Sequence, residues 1–270
     1  MLKQRVWTAV VLAPLVLVGL FLTGFELFKL FVALIILLGA WEWANLSGIV
    51  TPSGRMGYTA FIAALIAGVN YFAPAADFQS FMVIAALFWL LALYWVVMYP
   101  GAGGWRSVWQ RAFIGVIVLL PSWMALVSLR LNAEGSVFLL MLLLLVWGAD
   151  IGAYFAGKTW GKAKLAPNVS PGKTRAGLWG GLATCGLISI GFIIYLELDL
   201  SVGVYLLLLA MIAGVASVLG DLFESMLKRH RGIKDSSQLL PGHGGVLDRI
   251  DSITSAAPVF VLGLQLLAIA

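Results

Sequence analysis

Two stretches of the chain hold most of its chemically versatile side chains. One runs Gly220-Asp-Leu-Phe-Glu-Ser-Met-Leu-Lys-Arg229. If it is helical, Asp221, Glu224, Ser225, Lys228 and Arg229 stand at i, i+3, i+4, i+7 and i+8 and share one face. Asp248, Asp251, Ser252 and Ser255 repeat that spacing at the start of the last apolar run. Carboxylates on two facing helices can hold Mg²⁺, a hard cation that takes oxygen ligands and fills its shell with water and substrate phosphate. The competing reading is an ion-pair network in which Lys228, Arg229 and Arg249 neutralise the same acids. Between the two stripes lies Pro241-Gly-His-Gly-Gly245. Glycines around a single imidazole let backbone approach a ligand closely, which makes His243 a functional candidate. His230 reads instead as a surface residue.

The second chemical segment spans 150–175. Asp150 interrupts an apolar stretch between Trp147 and Tyr154, where a carboxylate must be paired, hydrated or bound to a cation. An interhelical hydrogen bond or salt bridge would satisfy it without any further role. Downstream, Lys162, Lys164 and Lys173 accompany Asn168, Ser170 and Thr174 in backbone broken by Pro167, Pro171 and Gly172. Such a stretch offers ammonium groups, hydroxyls and free N–H groups to phosphate oxygens; a basic loop that only sets topology is the alternative. Gly172-Lys173-Thr174 is not a P-loop, because no second glycine stands at the required spacing and no strand is expected before it.

The elements that position these groups are membrane helices. Of 270 residues, 62% are hydrophobic and only 11% charged, with a mean hydropathy of +1.02. A soluble domain carries about 25% charged residues, so most of this surface must meet lipid. Apolar runs recur at 6–24, 26–44, 57–73, 79–98, 112–131, 136–156, 177–196, 202–220 and 253–270. Each is near the roughly 20 residues a helix needs to cross a bilayer. The expectation is an all-α polytopic protein of about nine crossings, of which the first two, joined only by Thr23-Gly24-Phe25-Glu26, could instead form a helical hairpin that does not fully cross. Placing the N-terminus in the cytoplasm puts every Lys and Arg except Lys29 and Arg130 on the inner side, while Glu26, Asp77, Glu134, Glu197 and Asp199 fall outside. Residues 1–149 then form a scaffold of mostly plain spans. Residues 150–270 form a catalytic region whose segments 150–175 and 221–251 both emerge on the cytoplasmic face. The single cysteine, Cys185, excludes an intrachain disulfide framework and a cysteine metal cluster and reads as a packing residue.

Ser225-Met-Leu-Lys-Arg229, Lys234-Asp235 and Pro241-Gly-His-Gly-Gly-Val-Leu-Asp-Arg-Ile-Asp251 together resemble the signature of the phosphatidate cytidylyltransferases of bacteria. Asp150 to Tyr154 and Leu165-Ala-Pro-Asn-Val-Ser-Pro-Gly-Lys-Thr174 are similar to the same family, and the likeness extends more loosely to Trp41-Glu-Trp43. Arg175-Ala176 departs from it: relatives often carry Trp followed by Glu or Gln.

The resemblance implies a bacterial inner-membrane enzyme of phospholipid synthesis that makes CDP-diacylglycerol and pyrophosphate from CTP and phosphatidic acid. Mg²⁺ would be required, with a second cation beside it. It implies Asp221 and Asp248 as leading metal ligands, with Asp251 and Glu224 as further candidates. Lys173, Lys228 and Arg229 would clamp phosphates while Ser225 and His243 donate hydrogen bonds. Asn168, Ser170, Thr174, Asp150 and Arg249 would line the substrate site. A homodimer is consistent with the family, and no nucleic acid partner is implied. The competing functions are another CTP-dependent lipid enzyme, such as a polyprenyl kinase or an archaeal-type lipid cytidylyltransferase, and a transporter. A transporter would gather its ionisable groups near the midplane rather than at one interface.

Overall fold

A computed structural model describes residues 10, 14–73, 78–131 and 134–267. A π-helical turn, Val18–Leu22, leads into eight α-helices among the described residues. These are α1 (Phe25–Ser47), α2 (Pro52–Phe72), α3 (Gln79–Val97), α4 (Val108–Leu131), α5 (Gly135–Trp160), α6 (Arg175–Tyr195), α7 (Leu200–Arg231) and α8 (Leu247–Leu266). Six of them, α1 and α3–α7, are long and apolar enough to cross a membrane. The chain is therefore a multi-pass helical membrane protein. The helices α2 and α8 lie where crossings were expected but carry more polar residues, including Arg55 and Asn70 in α2 and Asp248, Arg249 and Asp251 in α8. Most of the expected first span, with Lys3 and Arg5, lies outside the described residues, as does Asp77.

One correction to the expected architecture matters for the site. The chain is not purely helical, since Lys164–Ala166 (β1) and Ser170–Thr174 (β2) form an antiparallel hairpin between α5 and α6. Pro167 and Pro171 preclude helix here because each lacks an N–H, and the short hairpin needs only local pairing. Strand therefore does precede Gly172-Lys173-Thr174, yet the glycine spacing of a P-loop is still missing. The helix α7 runs to Arg231, past the end of its apolar run, so the Asp221–Arg229 stretch is helical as its spacing required. It stops at Gly232, whose φ of 68° is the left-handed conformation that ends helices.

At the centre stand α4 and α8, with buried side chains on nearly every face, while the other helices turn apolar residues such as Leu34, Leu90, Ile194 and Leu208 outward. An all-round apolar helix suits a buried position, and exposed leucines suit a lipid-facing one. Phe88, Trp89 and Trp95 of α3 enclose Phe223 of α7, with ring centroids 5.7, 5.7 and 6.3 Å away. The turn of α7 that carries Asp221 and Glu224 is thus gripped by aromatic packing on its apolar side. The helices α5 and α6 meet through small residues, as membrane helices do when backbones pack closely. Cys185 is buried against Gly214, in keeping with a packing role.

The α7–α8 contact sets the distance between the two acidic stripes. A Cβ on Gly220 would stand 2.3 Å from Ser255 Oγ and 2.4 Å from the Asp251 carbonyl oxygen, so only glycine lets the helices approach this closely. Ser255 Oγ donates to the Ala216 carbonyl at 2.6 Å and locks the crossing. Because the Asp251 obstacle is backbone, Gly220→Ala must push the helices apart. We expect it to cost about 1–3 kcal/mol, the usual range for overpacking. It should lower the thermal unfolding midpoint in detergent; an unchanged midpoint would show that the crossing yields freely.

Candidate active site

The α7 stripe and the α8 stripe face one another, as their spacing implies. Lys228 Nζ lies 2.6 Å from Asp248 Oδ1 and 3.2 Å from Glu224 Oε1. All three side chains are nearly sealed from solvent, at 10%, 8% and 3% exposure for Lys228, Asp248 and Glu224. The other oxygen of Asp248 accepts from Ser236 N (3.0 Å), Ser236 Oγ (2.9 Å) and Gly245 N (2.8 Å). Burial opposes its charge, but the Lys228 ammonium and these N–H donors outweigh it and hold the Asp248 carboxyl below the usual range. Asp251 accepts from Ser252 N at 2.7 Å. Its surroundings act in the opposite sense: burial and the neighbouring Asp221 carboxylate push it up to about 7.

Asp221 is the more open acid. One oxygen accepts from Ser225 Oγ at 3.2 Å and the other pairs with Lys173 Nζ at 2.6 Å. That ion pair joins the two chemical segments, because Lys173 comes from β2 and Asp221 from α7. Arg229 adds a second tie, its Nε donating to the Val169 carbonyl at 3.2 Å. Lys173 and Thr174 line a cavity of about 370 Å³ with Asp150, Tyr154 and Lys158. A second, mostly apolar cavity of about 240 Å³ lies next to it, and the two share Leu165, Leu178 and Val218.

Several expected site residues are already engaged in holding the structure. Thr174 is buried, and its hydroxyl accepts from Gly177 N at 3.1 Å, capping the N-terminus of α6. Asn168 Nδ2 donates to the Tyr99 carbonyl at 3.3 Å and lines the apolar cavity, while Ser170 pairs with Ala166 across the hairpin. Arg249 Nη2 donates to the His243 carbonyl at 2.8 Å. The glycine frame is a tight turn in which Leu240 N donates to Gly244 O and His243 N to Leu240 O, both at 2.8 Å. Gly244 has φ +84°, and a Cβ there would meet Asp248 Oδ2 at 2.8 Å. The turn thus presses backbone against the Asp248 carboxylate. His243 Nδ1 is buried with no hydrogen-bond partner among the described residues. His230 is exposed, as expected, with its ring edge against Trp105.

Glu42 in α1 is the participant that sequence spacing did not single out. It lies inside Trp41-Glu42-Trp43, far from both chemical segments in the chain, yet it is fully buried beneath the loop before α8. The only hint in the sequence is an acid between two tryptophans in an apolar run.

Among the described residues no three of His, Cys, Asp and Glu converge as a ready-made metal cluster. The donor set is nonetheless one that suits a hard cation. Asp221, Glu224, Asp248 and Asp251 offer only oxygens, and the buried Glu224 carboxylate has the Lys228 ammonium 3.2 Å from Oε1 but no hydrogen bond among the described residues. Lys173 and Lys228 occupy the positions on Asp221 and Asp248 that a divalent cation would take.

Carboxylates and ammonium groups gathered where α7 and α8 cross, beside two adjoining cavities in a multi-pass helical protein, suit an enzyme for anionic substrates. Residues 3–267 match the model of the cytidylyltransferase family, and the chain belongs to it. It is 46% identical to a phosphatidate cytidylyltransferase of Pseudomonas aeruginosa, over 96% of each chain. A phosphatidate cytidylyltransferase of Haemophilus influenzae is 41% identical over 96% of this chain and 97% of its own. One of Bacillus subtilis is 42% identical over 48% of each.

Removing Lys228 would leave two buried carboxylates unpaired. Lys228→Met is expected to cost about 3–5 kcal/mol, the usual penalty for breaking a buried ion pair. The deficit should shrink as pH falls, because the stranded carboxylates then take up protons in the folded variant. Thermal unfolding of wild type and variant across a pH series measures both effects.

Proposed function

We propose that the protein transfers the cytidylyl group of CTP to phosphatidic acid, giving CDP-diacylglycerol and pyrophosphate. Family membership supports the reaction class. The observation that carries the substrate pair is the Lys173–Asp221 ion pair beside two adjoining cavities, one with Asp150, Lys158 and Lys173 in its wall and the other lined by uncharged, mostly apolar residues. An amphiphile with a phosphate head and acyl chains needs both environments side by side, and CTP needs cations for its triphosphate.

A phosphate oxygen of the lipid attacks the α-phosphorus of CTP, and the bond from that phosphorus to the β-phosphate bridging oxygen breaks as pyrophosphate leaves. The nucleophile is already anionic, so no general base is required. The protein must bring two anions together, align them and neutralise charge. Lys173, Lys228 and Arg229 clamp the phosphates, while Ser225 and His243 donate hydrogen bonds to phosphate or leaving group. Asp150, Asn168, Ser170, Thr174 and Arg249 shape the substrate site, Thr174 by capping α6 and Arg249 by holding the His243 backbone. Asp221 and Asp248 are the leading ligands for Mg²⁺, with Asp251 and Glu224 beside them able to share a second cation. The bound metal would offset phosphate charge as the transition state forms.

The proposed topology has nine crossings with the N-terminus in the cytoplasm. This follows from the positive-inside distribution and places the site at the cytoplasmic face of a bacterial inner membrane, where CTP arrives from water and phosphatidate from lipid. Residues 1–149 serve as scaffold and residues 150–270 as the catalytic region, in a homodimer.

Purified protein given labelled CTP and phosphatidate is expected to form labelled lipid only with Mg²⁺ present, and EDTA should abolish it. Label appearing solely in a phosphorylated alcohol would support a lipid kinase instead. Asp221→Asn and Asp248→Asn should each cut turnover by at least about 10²-fold in folded protein. Near-normal turnover in either variant removes that residue from the metal site.

A further inference from the structure

Glu42 takes part in no step of the mechanism above, yet its carboxylate is one of the most heavily engaged in the molecule. It has no exposed surface. One oxygen accepts from Leu247 N at 2.6 Å and Ser236 Oγ at 3.1 Å; the other accepts from Val246 N at 3.0 Å and from Ser237 Oγ. A buried carboxylate costs several kcal/mol unless donors or charges compensate it. Here four donors do so: Ser236, Ser237 and Val246 of the segment between α7 and α8, and Leu247, the first residue of α8. Two of them, Val246 N and Leu247 N, are unpaired N–H groups at the start of α8, where Val246 supplies no side-chain cap. Glu42 therefore caps α8 from a different helix, at the positive end of the α8 dipole.

The same contacts lead to the reacting groups. Ser236 Oγ lies between Glu42 Oε2, at 3.1 Å, and Asp248 Oδ2, at 2.9 Å, so its single proton can serve either carboxylate and the hydroxyl links the two positions. Gly245 N donates to Asp248 Oδ2. A Cβ at Gly245 would stand 2.6 Å from both Glu42 oxygens and 2.0 Å from Ser236 Oγ, so the loop makes room for the Glu42 carboxylate by having no side chain there. The His243 turn is held between Ser236–Ser237 on one side and Val246–Leu247 on the other, and Glu42 grips both.

We propose that Glu42 is a positioning residue for cytidylyl transfer. Acting through Ser236 and the start of α8, it fixes the loop that presents His243 and sets the Asp248 carboxylate against Lys228. The inference rests on the transferase reading above. It ties the 1–149 portion to the reacting groups by a defined set of hydrogen bonds.

The test uses the full-length protein in detergent. Glu42→Gln keeps the volume but turns an amide NH₂ toward N–H and O–H donors. Relative to wild type, kcat is expected to fall about tenfold or more, because small misplacements of reacting groups are that costly. KM for phosphatidate should stay within about threefold, since the two cavities do not touch Glu42. Amide hydrogen exchange should accelerate in 236–247 while α5 and α6 keep wild-type protection. If Glu42→Gln does not yield folded protein, the Ser237→Ala variant decides, because Ser237 bonds Glu42 and not Asp248, so it removes one of the four donors and leaves both carboxylates in place. The same loss of kcat with local loosening supports the proposal. A folded variant with kcat within about twofold of wild type overturns it, as does exchange that rises equally throughout the chain. A wild-type protein that forms no labelled lipid from CTP and phosphatidate overturns the transferase reading and this inference with it.

Discussion

The Lys228–Asp248 ion pair is the interaction on which the arrangement of the site depends. It spans the crossing of α7 and α8 at 2.6 Å with both partners almost out of solvent. Two isolated charges in that position would each cost several kcal/mol, and their mutual attraction offsets this only when the remaining lone pairs and protons also find partners. Asp248 meets that condition through Ser236 and Gly245, and Lys228 meets it through Glu224. The loop between the helices has to fold tightly for this to happen. Hence the left-handed glycine at 244, the bare backbone at 245 and the carboxylate of Glu42 closing the far side.

A bilayer sharpens the same logic. Within hydrocarbon, helices satisfy their own backbone groups, and irregular backbone is tolerated only where protein or water covers it. The β1–β2 hairpin and the 232–246 loop are the irregular segments that carry chemistry, and both belong to the same junction. Lys173 and Arg229 tie the hairpin to α7, while Asp248 and Glu42 tie the loop to α8. Elsewhere the helices turn leucines and phenylalanines outward. A phosphate-headed lipid can present its head to that junction without leaving the apolar surface.

Much of this is readable from residue spacing. Asp221, Glu224, Ser225 and Lys228 share a face because the helix period dictates it, and Asp248 with Asp251 does likewise, so two facing stripes follow from the i, i+3, i+4 pattern alone. The apolar runs marked the helices, although α2 and α8 are not among the six long and apolar enough to cross a membrane. The hairpin was not foreseen, because strands of three and five residues, broken by Pro167 and Pro171, carry no periodicity. Nor was the division of labour among polar residues: Thr174 and Asn168 have the composition of ligand contacts, but their bonds go to Gly177 and Tyr99. Composition states which groups can bind phosphate, whereas only the fold shows which have donors and acceptors left over.

The sequence by itself determined a multi-pass helical protein whose carboxylates and cations gather in two segments, and a loop motif that resembles one enzyme family. Charge scarcity and helix periodicity are local properties, legible one residue after another. Only the tertiary structure decided that Lys173 meets Asp221, that Asp248 is saturated while Glu224 is not, and that Glu42 reaches across some two hundred positions of chain to cap α8. Those outcomes depend on how closely helices pack, which Gly220 and Gly245 permit and no period in the chain encodes.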